Sequence, residues 1–262
     1  MDLRLTGRHA LVCGASQGIG RATAFELAEL GASVTLLARS TDALKALAAE
    51  LPATQAGQTH DYLAVDMLDT EALAAAVAAV VKDHAVHILL NNSGGPPPGA
   101  IHAADTEAFL TAYRQHVVSA QVLSQACLPG MRAAHYGRII NVISTSVKEP
   151  IPNLGVSNTV RAAMAGWAKT LSAEVAHDGI TVNNVLPGYT RTPRLDALVE
   201  SSVKAGRGRD EVERGLLASV PAARFGDPAE VGGVIAFLAS PAAGYINGVS
   251  LAVDGGRTRS LN

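Results

Sequence analysis

The chain has only two cysteines among its 262 residues, Cys13 and Cys127. They lie far apart and form no CxxC pair, which excludes a disulfide framework and suits a reducing, cytoplasmic compartment. Aromatic residues make up 4% and charged residues 17%, and the formal net charge is −2. A nucleic-acid partner would want a basic face, so none is expected. The one arginine-rich run, Lys204 to Arg214, is balanced by Asp210, Glu211 and Glu213 and has no interleaved aromatics, so it reads as a solvated face. Long apolar runs are also missing. The longest Ala/Val stretch, Ala72 to Val81, falls well short of the roughly 20 residues that span a bilayer, so no membrane association is expected. The N-terminus, MDLRLTGRHALVCG, has no basic segment, apolar segment and cleavage site in the order of a secretory signal. His84 and His87 are three apart near a helix end, but no carboxylate or thiol completes a metal site there.

What is present is a large apolar fraction, 48%, with 25 glycines and 12 prolines. That supports a real core and a single domain over residues 1–262. Short aliphatic runs read as buried strands: His9–Cys13, Ser33–Ala38, Tyr62–Val65, Val86–Leu90, Arg138–Ile143, Thr181–Leu186 and Val249–Val253. Helix-like segments lie between them: Ile19–Leu30, Thr41–Glu50, Asp69–Asp83, Thr106–Ala134, Leu154–Ala176 and Pro228–Ser240. Ser40, Asp69, Asp105 and Asp227 stand at their starts as capping residues. Strict alternation predicts an α/β fold, a doubly wound parallel sheet of about seven strands with helices on both faces. The one irregular region, Tyr189–Arg224, leaves the C-terminal end of a central strand, where ligands bind in such sheets, and reads as a substrate lid or as a solvated insertion. Its apolar positions Leu195, Leu198, Val199, Leu216 and Leu217 hint at a substrate that is not a sugar.

The glycines cluster with purpose. Strand HALVC runs directly into Gly14-Ala15-Ser16-Gln17-Gly18-Ile19-Gly20 and then a helix. Glycines there permit a tight turn and close approach of a pyrophosphate to backbone N–H groups at the helix start. Placed between the first strand and first helix, Gly14, Ser16, Gln17, Gly18, Ile19 and Gly20 form a candidate dinucleotide site.

From these residues onward the chain resembles the short-chain dehydrogenase/reductase family, and its 3-oxoacyl-ACP reductase-like members in particular. The resemblance covers nearly the whole chain. It rests on GASQGIG, Val65-Asp66-Met67, Asn91-Asn92-Ser93-Gly94, Gly137 to Ser144, Val182 to Gly188, Phe237 to Ser240 and Val253-Asp254-Gly255-Gly256. It implies that Asp66 and Met67 hold the adenine and that Asn92, Ser93 and Gly94 line the cofactor cleft. It also implies that Pro187, Gly188 and Thr192 border the nicotinamide, and that the protein is a homodimer or homotetramer packed through its long helices. An acid at the end of the second strand would accept from a ribose 2′-hydroxyl, whereas arginine accommodates a 2′-phosphate. Here the strand ends Leu37-Ala38-Arg39-Ser40, so Arg39 favours NADP(H) over NAD(H).

The resemblance breaks at the catalytic positions. The family uses Ser, then Tyr thirteen residues later, then Lys four beyond, with an Asn on an upstream helix. Ser144 matches the serine, but Ser157 stands for the tyrosine, Arg161 for the lysine and His116 for the asparagine. A serine hydroxyl is a far weaker acid than a phenol, and arginine keeps its proton while still offering a fork of donors. Arg161 therefore remains a candidate for both ribose binding and catalysis. His116, titrating near neutrality, would feed protons while Ser144 and Ser157 polarise a carbonyl. Against that, His116 also reads as a plain helix histidine. Tyr113 and Tyr189 are possible substitute hydroxyls. Three readings stay open: an NADP(H)-dependent reductase of a small, apolar carbonyl substrate with rearranged acid chemistry, a nucleotide-binding protein without catalysis, and a scaffold for a reaction without net hydride transfer.

Overall fold

The computed structural model describes residues 1–261. Its centre is a seven-stranded parallel sheet, assembled from strands that the backbone pairing places well outside sequence order. β1 (His9–Cys13), β2 (Ser33–Ala38), β3 (His60–Ala64), β4 (Ile88–Asn91), β5 (Gly137–Val142), β6 (Ile180–Pro187) and β7 (Ser250–Val253) lie in the order β3-β2-β1-β4-β5-β6-β7. The reversal falls between β1 and β4, and ligand crevices in doubly wound sheets open at that point, beyond the strands' C-terminal ends.

Successive residues of the central strands face opposite sides and build two separate cores. Val12, Val34, Leu36, Leu90 and Ile140 pack under α1 (Gly18–Glu29) and α9 (Pro228–Ala239). Leu11, Leu37, Leu89 and Ile139 pack under α3 (Thr70–Asp83), α5 (Ser119–Ala133) and α6 (Gly155–Glu174). Strands buried on both faces need no polar alternation, which is why they read as continuous aliphatic runs. Helix starts follow the chain's capping residues. The Ser40 hydroxyl accepts from Ala43 N–H at the head of α2 (Thr41–Glu50), and Asp69 accepts from Ala72. Asp227 and Glu230 form a reciprocal capping box on α9.

Two expectations from sequence are corrected. The segment Thr106–Ala134 is not one regular helix: α4 (Thr106–Tyr113) passes into a π-helical turn at Arg114–Val118 before α5 begins. The region Tyr189–Arg224 is not irregular. It carries α7 (Pro193–Lys204), capped by the Thr192 hydroxyl, and α8 (Arg209–Leu217). The charges that made it look loop-like are helix-surface pairs, Arg207–Glu211 and Arg209–Glu213, each at i, i+4 spacing. Leu195 and Val199 turn inward and are buried.

A polar feature crosses the four strands from β4 to β7. Asn91, Asn141, Asn184 and Ser250 are register partners. Asn91 Nδ2 donates to Asn141 Oδ1 at 2.8 Å, Asn141 Nδ2 to Asn184 Oδ1 at 2.9 Å, and Asn184 Nδ2 to Ser250 Oγ at 3.1 Å. Each buried amide therefore donates to the next strand, which removes most of the penalty for placing it in the sheet. No helix among the described residues is long and apolar enough to cross a membrane.

Candidate active site

The glycine turn is shaped by what surrounds it. Gly14 and Gly18 adopt φ of +60° and +57°. A Cβ on Gly14 would sit 2.6 Å from the Asn92 carbonyl oxygen, and one on Gly20 would strike the Gly14 carbonyl. The turn thus folds tightly against the loop after β4, and the Asn92 side chain seals the join by donating to Cys13 O at 3.3 Å and Gly14 O at 3.4 Å. Gly18 faces Thr192, whose Cγ2 would lie 3.2 Å from an added Cβ. The head of α1 has no side-chain cap on Gln17 and no acid in its first turn, so its N–H groups stay available to an anion. This cradle fits a dinucleotide pyrophosphate. Arg39 is exposed at the end of β2 and forms no ion pair among the described residues, a placement that fits a 2′-phosphate. Asp66 follows β3 and accepts from Leu68 N–H at 3.0 Å.

Past the turn, a small cleft is lined by Met67, Asn92, Ser93, His116, Ile143 and Arg161, together with Asn91 and Asn141. It gathers residues from the ends of three strands, from α6 and from the π-turn. The π-turn places His116, 5% exposed, with Nδ1 sharing a 2.7 Å hydrogen bond with Ser93 Oγ, while Nε2 is enclosed without a partner. Single π-turns of this kind recur at functional sites. Burial, reinforced by the charges of Arg161 and Arg194, pushes the His116 imidazole down to about 2. The expectation that it titrates near neutrality is therefore corrected: the ring is neutral throughout the physiological range, because a third positive charge beside two guanidinium groups in a desolvated cleft is strongly disfavoured.

Arg161 is 7% exposed and donates from Nη1 to Val142 O at 2.9 Å, while its Nε finds no acceptor. Burial and the neighbouring Arg194 lower it to about 10, so it keeps its charge at neutral pH. Among the described residues no carboxylate pairs with it. Ser157 lies one turn earlier on the same face of α6, is 5% exposed, and its hydroxyl forms no hydrogen bond among the described residues. Ser144 caps the short turn after β5, accepting from Ser146 N–H at 3.1 Å, which leaves its own O–H free to donate. Gly188 is pressed against Asp254 at the end of β7. Tyr113 is 46% exposed at the end of α4 and takes no part in lining the cleft.

Two further arginines meet the loops that follow β4 and β5. Arg194, in the first turn of α7, donates to Gly95 O at 3.0 Å and Pro96 O at 3.4 Å. Arg257, in the C-terminal tail, donates to Thr145 Oγ1 at 3.1 Å. Neither stands in a motif, so only the folded chain brings them to the site.

Comparison with known proteins agrees with this architecture. Residues 14–258 match the family described as enoyl-(acyl carrier protein) reductase. The chain is 37% identical over 257 residues to the 3-oxoacyl-[acyl-carrier-protein] reductase FabG of Vibrio cholerae, covering 97% of this chain and 98% of that protein. It is 29% identical to the NADPH-dependent reductase BacG of Bacillus subtilis, covering 98% of this chain and all of that one. The L-sorbose reductase of Gluconobacter frateurii, solved with NADPH and L-sorbose, superposes with a TM-score of 0.93 at 31% identity over the full length of both chains. With its sheet order, its glycine turn and these matches along nearly its whole length, the chain belongs to the short-chain dehydrogenase/reductase family of oxidoreductases.

Proposed function

We propose that this chain is an NADP(H)-dependent oxidoreductase that reduces the carbonyl of a small substrate, or oxidises the corresponding alcohol, through Ser144, Ser157, Arg161 and His116. The observation that carries the reading is the buried, unpaired guanidinium of Arg161, fastened to the end of β5 just before Ser144. A positive group with unused donors beside a free hydroxyl suits an oxygen that gains negative charge. When bound, the dihydronicotinamide supplies the hydride that the carbonyl carbon accepts. Ser144 O–H hydrogen-bonds to the carbonyl oxygen, and the alkoxide left by hydride addition takes its proton from solvent water. Arg161 grips the ribose and adds positive potential to the same region. Ser157 holds a hydroxyl where the family has a phenol, and is too weak an acid to protonate the product unaided. His116, being neutral, contributes hydrogen bonding rather than an imidazolium proton. The solved relatives that bind NADPH and the exposed Arg39 support NADP(H) over NAD(H). We assign the cofactor contacts to Gly14, Ser16, Gln17, Gly18, Ile19, Gly20, Asp66, Met67, Asn92, Ser93, Gly94, Pro187, Gly188 and Thr192. The segment 189–224 is the substrate lid, and a cytoplasmic homodimer or homotetramer is the expected form.

The test is turnover. Purified protein with NADPH and a panel of oxo acids, β-keto esters, quinones and simple ketones should oxidise the cofactor. Ser144→Ala should reduce the rate by about 100-fold or more while leaving the NADPH dissociation constant unchanged. Tight NADPH binding with no oxidation across the panel overturns the reductase reading in favour of a non-catalytic nucleotide-binding protein. Substrate conversion without a net change in NADPH points instead to non-redox chemistry.

A further inference from the structure

Several arginines of the surface are matched with acids, among them Arg21 with Glu50, Arg132 with Asp178 and Arg224 with Glu230. Arg257 is not. It follows the turn at Gly255-Gly256, where the tail folds back across the strand ends. Its Nη1 donates to Thr145 Oγ1 at 3.1 Å, and its guanidinium lies 4.8 Å over the ring of Tyr189. Thr145 is the residue after Ser144, and Tyr189 the residue after Gly188. The guanidinium is thus fastened between the two segments that border the reacting position. Its Nε is enclosed without an acceptor, and the side chain as a whole is only half-buried.

Acids do lie close by, but they are committed elsewhere. Asp254 accepts from the N–H groups of Gly256 at 3.0 Å and Thr258 at 2.7 Å, and Glu149 accepts from Arg259 N–H at 2.8 Å. Among the described residues no carboxylate pairs with Arg257. The chain has 23 acids against 21 basic residues, so an unmatched cation here does not come from a shortage of acids. A guanidinium placed over an aromatic ring, with one arm tied to a hydroxyl, has few orientations left to lose. Its remaining N–H edge matches the two oxygens of a carboxylate.

We propose that Arg257 anchors the substrate through a carboxylate, so that the carbonyl compound is a short 2- or 3-oxo acid whose ketone lies at Ser144. The proposal rests on the reductase reading above. Thr145 and Tyr189 orient the guanidinium, and the adjacency of Ser144 and Thr145 keeps carboxylate and ketone within a few bonds of each other.

The experiment compares 2- and 3-oxo acids with their own methyl esters and with acyl thioesters, using the NADPH-loaded protein. Wild type is expected to favour acids over esters by at least about ten-fold in kcat/KM. Arg257→Met, which keeps the aliphatic stem over Tyr189, should erase that preference through KM while ester turnover and NADPH affinity stay as they were. Arg257→Lys should restore part of it. Equal use of acids and esters by wild type overturns the proposal, as does an equal loss of both in Arg257→Met. A preference for thioesters overturns it in favour of a carrier-bound substrate. Calorimetric titration of the same complex with short hydroxy acids separates the two readings. Carboxylate binding that depends on Arg257 without any turnover upholds the anchor while the reductase reading fails. Turnover without such binding does the reverse.

Discussion

Ser93 Oγ and His116 Nδ1 lie 2.7 Å apart, joining the loop after β4 to the π-turn between α4 and α5. This one bond fixes the rotation of the imidazole and leaves its other nitrogen facing the cleft. It also couples the loop after β4 to the helical segment that carries His116.

The neutrality of His116 makes stability fall with acidity. In the unfolded chain this histidine takes up a proton near 6.5, whereas in the folded chain it does so only near 2. Its contribution is therefore intact above about pH 6.5 and is lost as pH falls from there toward 2, at about 1.4 kcal/mol per pH unit. His9, held down to about 4 by burial and then by His84 and His87, acts the same way over the upper part of that window. Urea denaturation at about pH 7.5 and pH 5 should show His116→Asn losing about 2 kcal/mol less than wild type on acidification. Equal losses would mean that His116 is protonated in the fold.

Arg39 should discriminate between cofactors. Its side chain is free of ion pairs among the described residues, and a charge-assisted contact to a phosphate is worth about 1.5–3 kcal/mol. Arg39→Ala is expected to weaken NADPH by roughly 10- to 100-fold and leave NADH within about two-fold, read by fluorescence titration. Parallel weakening of both would place the 2′-phosphate elsewhere.

Arg194 ties α7 to the loop after β4 through Gly95 O and Pro96 O. Arg194→Ala should accelerate NADPH release several-fold in stopped-flow measurements while changing the melting temperature by only about 2 °C, since the contacts lie partly in solvent. It also removes one of the charges that hold His116 down, so the imidazole should titrate higher by NMR. An unchanged release rate would show that this bridge does not hold the cofactor in.

Restoring the family's residues tests the pocket itself. Ser157→Tyr with Arg161→Lys places a phenol and a titratable amine on the same face of α6. Ketone reduction should rise by about ten-fold or more, the usual scale of a positioned proton donor. A folded, NADPH-binding but inert double variant would mean that the cleft around Ser157 has closed over.

The sheet and most helix starts are legible in the chain because their signals are local. Strands such as Ile139-Ile140 in β5 are aliphatic on both faces, and Asp227 with Glu230 announces α9. Three features are not legible. The π-turn at Arg114–Val118 hides inside an unbroken helical pattern, because one extra residue per turn leaves composition unchanged. The helices α7 and α8 look like loop because their stabilising pairs are charged. Arg257 and Arg194 carry no motif, and Thr145, Tyr189 and Gly95 meet them only through the crossovers of the sheet. The positions Ser144, Ser157 and Arg161 are legible by spacing, but the missing counter-charge around Arg161 appears only once α6 docks on β5.

The amides of Asn91, Asn141 and Asn184 are linked in one direction, each nitrogen donating toward the next strand, while the oxygens of Asn141 and Asn184 accept from the strand before. Their dipoles add instead of cancelling, so a sheet whose strands are parallel also carries a polarity at right angles to them. The negative end is Asn91 Oδ1, which has no partner and belongs to the lining of the cleft that holds the Arg161 guanidinium. Neither Asn141 nor Asn184 can flip without breaking the chain on both sides, so the orientation is collective. Strand β6, two strands away, thereby has a say in the potential felt by the Arg161 guanidinium.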